Sequence, residues 1–169
     1  MKGKEPPPSL PTIPVTVRRV KMRAGRRFRP TGGGGVRSAV GAEPAGNHLV
    51  YKPPTMKFTW IIENFTRLTT KKHYSDVFIL DDYKWRILIF PKGNNVDEFS
   101  VYLEVPDASS LPNGWSRYAQ FSFHVVNHIN NKFSVWKDTQ HQFNAGETDS
   151  GFTSFMSLTD LTDSTRGYL

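Results

Sequence analysis

Cysteine is absent from all 169 residues. Its absence rules out disulfides, thiolate metal sites and a catalytic thiol within the chain. It also fits an intracellular setting, the nucleus and/or cytoplasm, where no such staples form. Long apolar runs are missing too: no window approaches the roughly 18 to 20 consecutive apolar residues of a membrane span. The N-terminus carries no short apolar core of a secretory signal. No membrane partner is expected, and the formal sequon Asn64-Phe65-Thr66 is not expected to meet the machinery that would use it. Acidic residues are scarce at one end only. Residues 1–50 hold ten Lys or Arg against Glu5 and Glu43, whereas twelve basic and thirteen acidic residues follow from 51 onward. The formal net charge of +7 is therefore a property of the N-terminal third.

That third reads as a tail. PPPSLPTIP, VRRVKMRAGRRFRP, TGGGGV and YKPPT have too few large apolar groups to offset the entropy of ordering. Residues 1–55 are accordingly expected to be disordered. The run from Arg18 to Arg29 carries seven positive charges, suited to a solvated linker, a transit peptide, or contact with an importin, RNA or an acidic surface. TGGGGV is not a phosphate loop, because no Gly-Lys-Ser/Thr follows it.

From Met56 the texture changes to short runs that alternate with period two, the signature of strands. KFTWII sets Phe58, Trp60 and Ile62 on one face. YKWRILIF sets Trp85, Ile87 and Ile89 against Arg86, Leu88 and Phe90, so both faces are covered. SVYLEV places Val101, Leu103 and Val105 inward and Tyr102 and Glu104 outward, and YAQFSFHVV aligns Phe121, Phe123 and Val125. KFSVW supplies another run, and PKGNN, LPNGW and NAGETDSG supply turns. The pattern predicts one all-β domain over 56–169, an antiparallel sandwich.

Candidate chemistry is thin. Asp149, Ser150 and Gly151 follow one another, with His141 upstream, but the context is a polar turn rather than a Gly-x-Ser-x-Gly elbow, and sequence neighbours do not make a triad. His124 and His128 have the spacing of a helical zinc pair on a segment that reads as a strand, without an intervening Glu. Trp115, Phe121, Phe123 and Trp136 stand at strand spacing in a neutral region, which favours core packing over base stacking. No catalytic residue, metal or cofactor is expected. A sandwich without an active centre has a strand edge as its main asset, able to add an extended peptide through main-chain hydrogen bonds.

Read together, KFTWIIENFTR, YKWRILIFPKGNN, SVYLEV, GWSRYAQFSFHVVN, GFTSFMSLTDL and RGYL resemble the MATH (meprin and TRAF homology) domain. The resemblance is greatest to the N-terminal domain of plant ubiquitin-specific proteases related to the herpesvirus-associated one. It implies an eight-stranded TRAF-like β-sandwich that captures short extended peptides, typically Pro or Ala followed three positions later by Ser. In those relatives an Asp-Trp-Gly stretch builds much of the cleft. Asp149 matches the Asp, which accepts the ligand hydroxyl, and Gly151 the Gly. Ser150 stands where the Trp would pack on the small apolar residue, with Phe152 beside it. Lys92 and Tyr102 match a basic group and an aromatic that line the groove.

The resemblance also implies a last, central strand after Gly167-Tyr168-Leu169, so the sandwich is expected to lack that strand: either the sequence is a fragment or incomplete gene model, or a partner or the tail fills the gap. The function implied is a non-catalytic peptide-binding adaptor in ubiquitin-dependent turnover. Two alternatives stand beside it: part of a ubiquitin-specific protease whose catalytic domain is absent, or nucleic-acid binding through the basic tail.

Overall fold

The computed structural model describes residues 12–23, 55–80 and 82–169. Nine strands run through them: β1 (Thr12–Arg23), β2 (Lys57–Glu63), β3 (His73–Tyr74), β4 (Phe78–Leu80), β5 (Tyr83–Phe90), β6 (Glu98–Glu104), β7 (Ser116–Val125), β8 (Val135–Asn144) and β9 (Asp149–Ser157). One five-residue helix, α1 (Leu158–Thr162), follows β9. One sheet has the order β2-β1-β7-β8, the other β3-β5-β6-β9, with β4 also pairing with β5. Every pairing among the named strands is antiparallel. The two sheets and the small share of helix are those of the expected TRAF-like sandwich.

Alternation decides which side chains meet between the sheets. Trp85, Ile87 and Ile89 of β5, Val101 and Leu103 of β6, and Phe121, Phe123 and Val125 of β7 are all buried, as their period-two spacing requires. Phe143 and Phe155 complete an aromatic core in which Trp85 meets Phe143 edge-on at 5.1 Å and Phe99 meets Phe155 at 6.3 Å. Burying each such ring contributes roughly 1.5–3 kcal/mol. The C-terminal segment is tied down by polar contacts. Asn127 Nδ2 donates to the Arg166 carbonyl at 2.6 Å, His128 N to the Gly167 carbonyl at 2.7 Å, and the Tyr168 hydroxyl to the Phe133 carbonyl at 2.7 Å.

Two expectations are corrected here. Thr12–Arg23, assigned by composition to a disordered tail, is an interior strand: Thr12–Arg18 pairs with Lys57–Glu63 on one side, and Val15–Arg23 with β7 on the other. β1 thus lies between β2 and β7 in its sheet. The physical reason lies in PVTV, whose Val15 and Val17 are buried against the core (0 and 1 % exposed), while Thr16 between them bonds Thr59 Oγ1 at 3.0 Å. Four residues of strand pattern inside a basic, proline-rich run are invisible to composition averaged over fifty. The rest of that tail, residues 1–11 and 24–54, lies outside the described residues.

The second correction concerns Ser150. The turn ends earlier, with Asn144 and Glu147 exchanging backbone hydrogen bonds at 3.1 Å, so Asp149-Ser150-Gly151 opens β9 rather than lying in the turn.

Candidate functional site

The sheet β3-β5-β6-β9 turns one face to the core and the other outward, and paired residues in an antiparallel ladder share a face. The registers set Arg86 opposite Glu104 and Glu104 opposite Asp149, then Leu88 opposite Tyr102 and Tyr102 opposite Gly151. These two rows cross the outer face. Lys71, Lys72, Leu88, Phe90, Asn94, Tyr102 and Asp149 line a depression there of about 500 Å³. Its floor is apolar: Leu88 and Phe90 are buried although they face away from the core.

Tyr102 is held upright in this depression. Its hydroxyl is 2.7 Å from Thr153 Oγ1, Asn94 Nδ2 donates to it at 3.3 Å, and the Phe90 ring packs against its ring at 5.7 Å. Gly151, across the ladder, leaves the space over β6 open: a Cβ there would sit 2.1 Å from the Val101 carbonyl oxygen and 2.6 Å from Tyr102 Cα. No larger residue fits that approach without moving β9 off β6.

Electrostatics singles out one carboxylate. Glu104 accepts from Arg86 Nε at 2.5 Å, and the Arg86 guanidinium lies over the Tyr74 ring at 4.1 Å. Asp149 has no such ion-pair partner among the described residues. Partial desolvation, then the charge of Glu104, push its carboxyl above the usual carboxylate range, against the pull of Lys72 and His141. Asp149 is exposed at the rim of the groove, where its carboxylate can accept from a donor on a ligand.

Beside it lies an edge. Among the described residues β9 pairs with β6 alone in its sheet, so its other side carries no strand there and could accept one. That edge is closed at one point, where Lys137 Nζ donates to the Ser154 carbonyl at 2.7 Å while lying near the Phe152 and Phe155 rings.

The residues expected to form the site fall into three groups. Tyr102, Asp149 and Gly151 share the outer face. Ser150 and Phe152 fall opposite Leu103 and Val101, both core-facing, and so lie on the other side of β9; Phe152 packs against Phe123 at 6.4 Å and Phe155 at 5.9 Å. Lys92 is exposed in the β5–β6 turn and does not line the depression; the lysines that do are Lys71 and Lys72. These two, with Asn94 and Thr153, were missed in sequence. Their only signal was a Lys pair in a loop, whereas Leu88 and Phe90 were already placed on this face by alternation.

His141 faces Glu147 at 3.6 Å, and no hydrogen bond joins it to Ser150 among the described residues. No group of three metal-ligating side chains converges among them. His124 sits on β7 and His128 beyond its end, not on a helix.

Comparison with known proteins places these features. The family model described as the MATH domain matches residues 57–169. Ubiquitin C-terminal hydrolase 13 of Arabidopsis thaliana is 68% identical over 117 residues, 69% of this chain and 10% of its own length. Ubiquitin C-terminal hydrolase 12 of the same plant is 64% identical over 128 residues, 76% of this chain and 12% of its own length. An Arabidopsis MATH domain and coiled-coil domain-containing protein is 48% identical over 115 residues, 67% of this chain and 38% of its own length. The chain thus spans about a tenth of the two hydrolases and under two-fifths of the third relative. With a matched region that runs from β2 through α1 to the last residue, the chain belongs to the MATH domain family.

Proposed function

We propose that this chain is a non-catalytic adaptor that binds short extended segments of other proteins along the β9 edge, in the service of ubiquitin-dependent turnover. The observation that carries the reading is the adjacency of Asp149, exposed and without an ion-pair partner among the described residues, to Tyr102 and to a strand edge unpaired among them. Main-chain hydrogen bonds to β9 supply affinity for any extended peptide, and Asp149 selects a hydroxyl or other donor at one position. A serine three residues after Pro or Ala places that donor at Asp149 while the small apolar residue lies farther along the edge. The link to ubiquitin rests on the names of the two hydrolases and on identity confined to this one region.

Absence of cysteine means the chain itself offers no thiol nucleophile for isopeptide hydrolysis. In a protein built like those hydrolases, this domain acts as the part that chooses the substrate. Titration of a fluorescent Pro-x-x-Ser peptide tests the reading. Wild-type protein binds it, Asp149→Ala weakens it about ten-fold by removing one acceptor, and a Pro-x-x-Ala peptide binds no better than that variant. Equal affinity for the Ser and Ala peptides in wild-type protein would remove Asp149 from recognition.

A further inference from the structure

Among the described residues β2 has a single neighbour in its sheet, and that neighbour is β1. Phe58, Trp60 and Ile62, the apolar face of β2, are therefore held to the sheet by hydrogen bonds that run wholly through Thr12–Arg18. On its other side β1 pairs with β7 from Val15 to Arg23, with a shift of register between Arg18 and Lys21. Thr12–Arg23 thus fills a slot with two walls, β2 and β7, and a floor formed by the core that receives Val15 and Val17.

The connection sets this strand apart. Antiparallel neighbours are usually joined by turns of two to five residues, which fix their register. Between β1 and β2 lie residues 24–56. A connection of that length is far beyond a two- to five-residue turn that would set register, so the pairing rests on the side-chain pattern of β1, as that of a bound peptide does.

We propose that Thr12–Arg23 is a donor strand: a segment the domain binds between β2 and β7, separable from the rest of the fold and replaceable by the same sequence supplied from outside the chain. The slot is then a second peptide-binding site, distinct from the β9 edge. It recognises two β-branched residues at alternate positions, Val15 and Val17, flanking the hydroxyl of Thr16, which finds its partner on Thr59. The covalent connection supplies a high effective concentration of donor, so in the intact chain the slot is filled intramolecularly.

The test uses the full chain with a specific protease site in the Gly32–Gly35 run. After cleavage at micromolar concentration, the N-terminal fragment is expected to co-elute with the remainder. An excess of fluorescently labelled peptide spanning Pro11–Arg23 is expected to enter the complex as the fragment leaves. The same peptide with Val15→Asp and Val17→Asp is expected to enter at least about ten-fold less well. Loss of the fragment with an unchanged melting temperature of the remainder would overturn the proposal, since the slot would close without a donor. Retention with no exchange, or equal entry of the Asp-substituted peptide, would overturn it as well. None of these outcomes depends on the β9 site, whose Pro-x-x-Ser titration is read separately.

Discussion

β1 and β9 are both strands of one sandwich, and they meet their sheets in opposite ways. β1 has a hydrogen-bonded neighbour on each side and drives Val15 and Val17 into the core. β9 has a neighbour on one side only and presents Asp149, Gly151 and Thr153 beside an outward depression. The first strand has its pairing capacity satisfied within the chain, and the second leaves one side unpaired among the described residues, the side the proposed ligand would use. Burial on both sides makes a strand a stabilising element, whereas an open edge with a polar rim makes it a recognition element.

The largest expected break in this contrast comes at β1. Val15→Asp together with Val17→Asp forces two carboxylates into the core, at a cost of about 4 kcal/mol or more, a large part of the stability of a typical domain. Urea denaturation should show the loss of a cooperative transition. Limited trypsin digestion should cut after Arg18 and Lys21 much faster in this variant than in wild-type protein, since the ladder otherwise keeps those residues extended and paired.

A smaller effect is expected at the β9–β6 contact. Gly151→Ala places a Cβ against the Val101 carbonyl and should destabilise by about 1–3 kcal/mol. The same variant should lose peptide affinity, because β9 and Tyr102 can no longer keep their spacing. Unchanged stability would show that β9 shifts freely and is no fixed platform.

Next comes a test of what Ser150 lacks. It is half-buried on the side of β9 opposite Asp149 and Gly151, at the margin of the sandwich, where a ring would meet an added peptide only across the unpaired edge. Ser150→Trp is expected to tighten Pro-x-x-Ser binding by about 1–2 kcal/mol, roughly five- to thirty-fold. Adding Asp149→Ala should cancel much of that gain. Fluorescence titration with circular dichroism as a folding check measures both.

The smallest effect concerns protons. The Asp149 carboxyl is raised in the folded protein, chiefly by desolvation and then by Glu104, so its ionisation works against folding. Stability from this group is fully present below the unfolded carboxylate value and is lost as pH rises through the raised one. Asp149→Asn should accordingly leave stability unchanged in acid and raise it slightly at pH 7, by only a few tenths of a kcal/mol because the side chain is solvent-screened. Ligand binding runs the other way, since the charged form is the better acceptor. Affinity for the serine peptide should fall on acidification at a pH above the usual carboxylate range.

Much of the sandwich could be read from alternation alone. The inward faces of β2, β5, β6 and β7 follow from Phe58 to Ile62, Trp85 to Ile89, Val101 to Leu103 and Phe121 to Val125, because a strand with one core face must alternate. β1 escaped because its period-two signal spans only four residues and sits among Pro, Arg and Gly, where charge and composition argue for a tail. Register was the other blind spot. Asp149, Ser150 and Gly151 are adjacent in sequence, yet only pairing with β6 shows that the first and third face Tyr102 and Glu104 while the second does not. Lys71 and Lys72 reach the depression through a loop whose path no local pattern encodes, and Lys92, equally basic and near a turn, stays out of it.

Amide hydrogen exchange with and without saturating Pro-x-x-Ser peptide tests the contrast between the two strands most directly. The account predicts that β1 amides are protected already in the free protein and do not change, while amides between Asp149 and Thr153 slow at least about ten-fold when peptide binds. Saturable binding that leaves β9 exchange unaltered, or that protects residues only elsewhere on the surface, would contradict it.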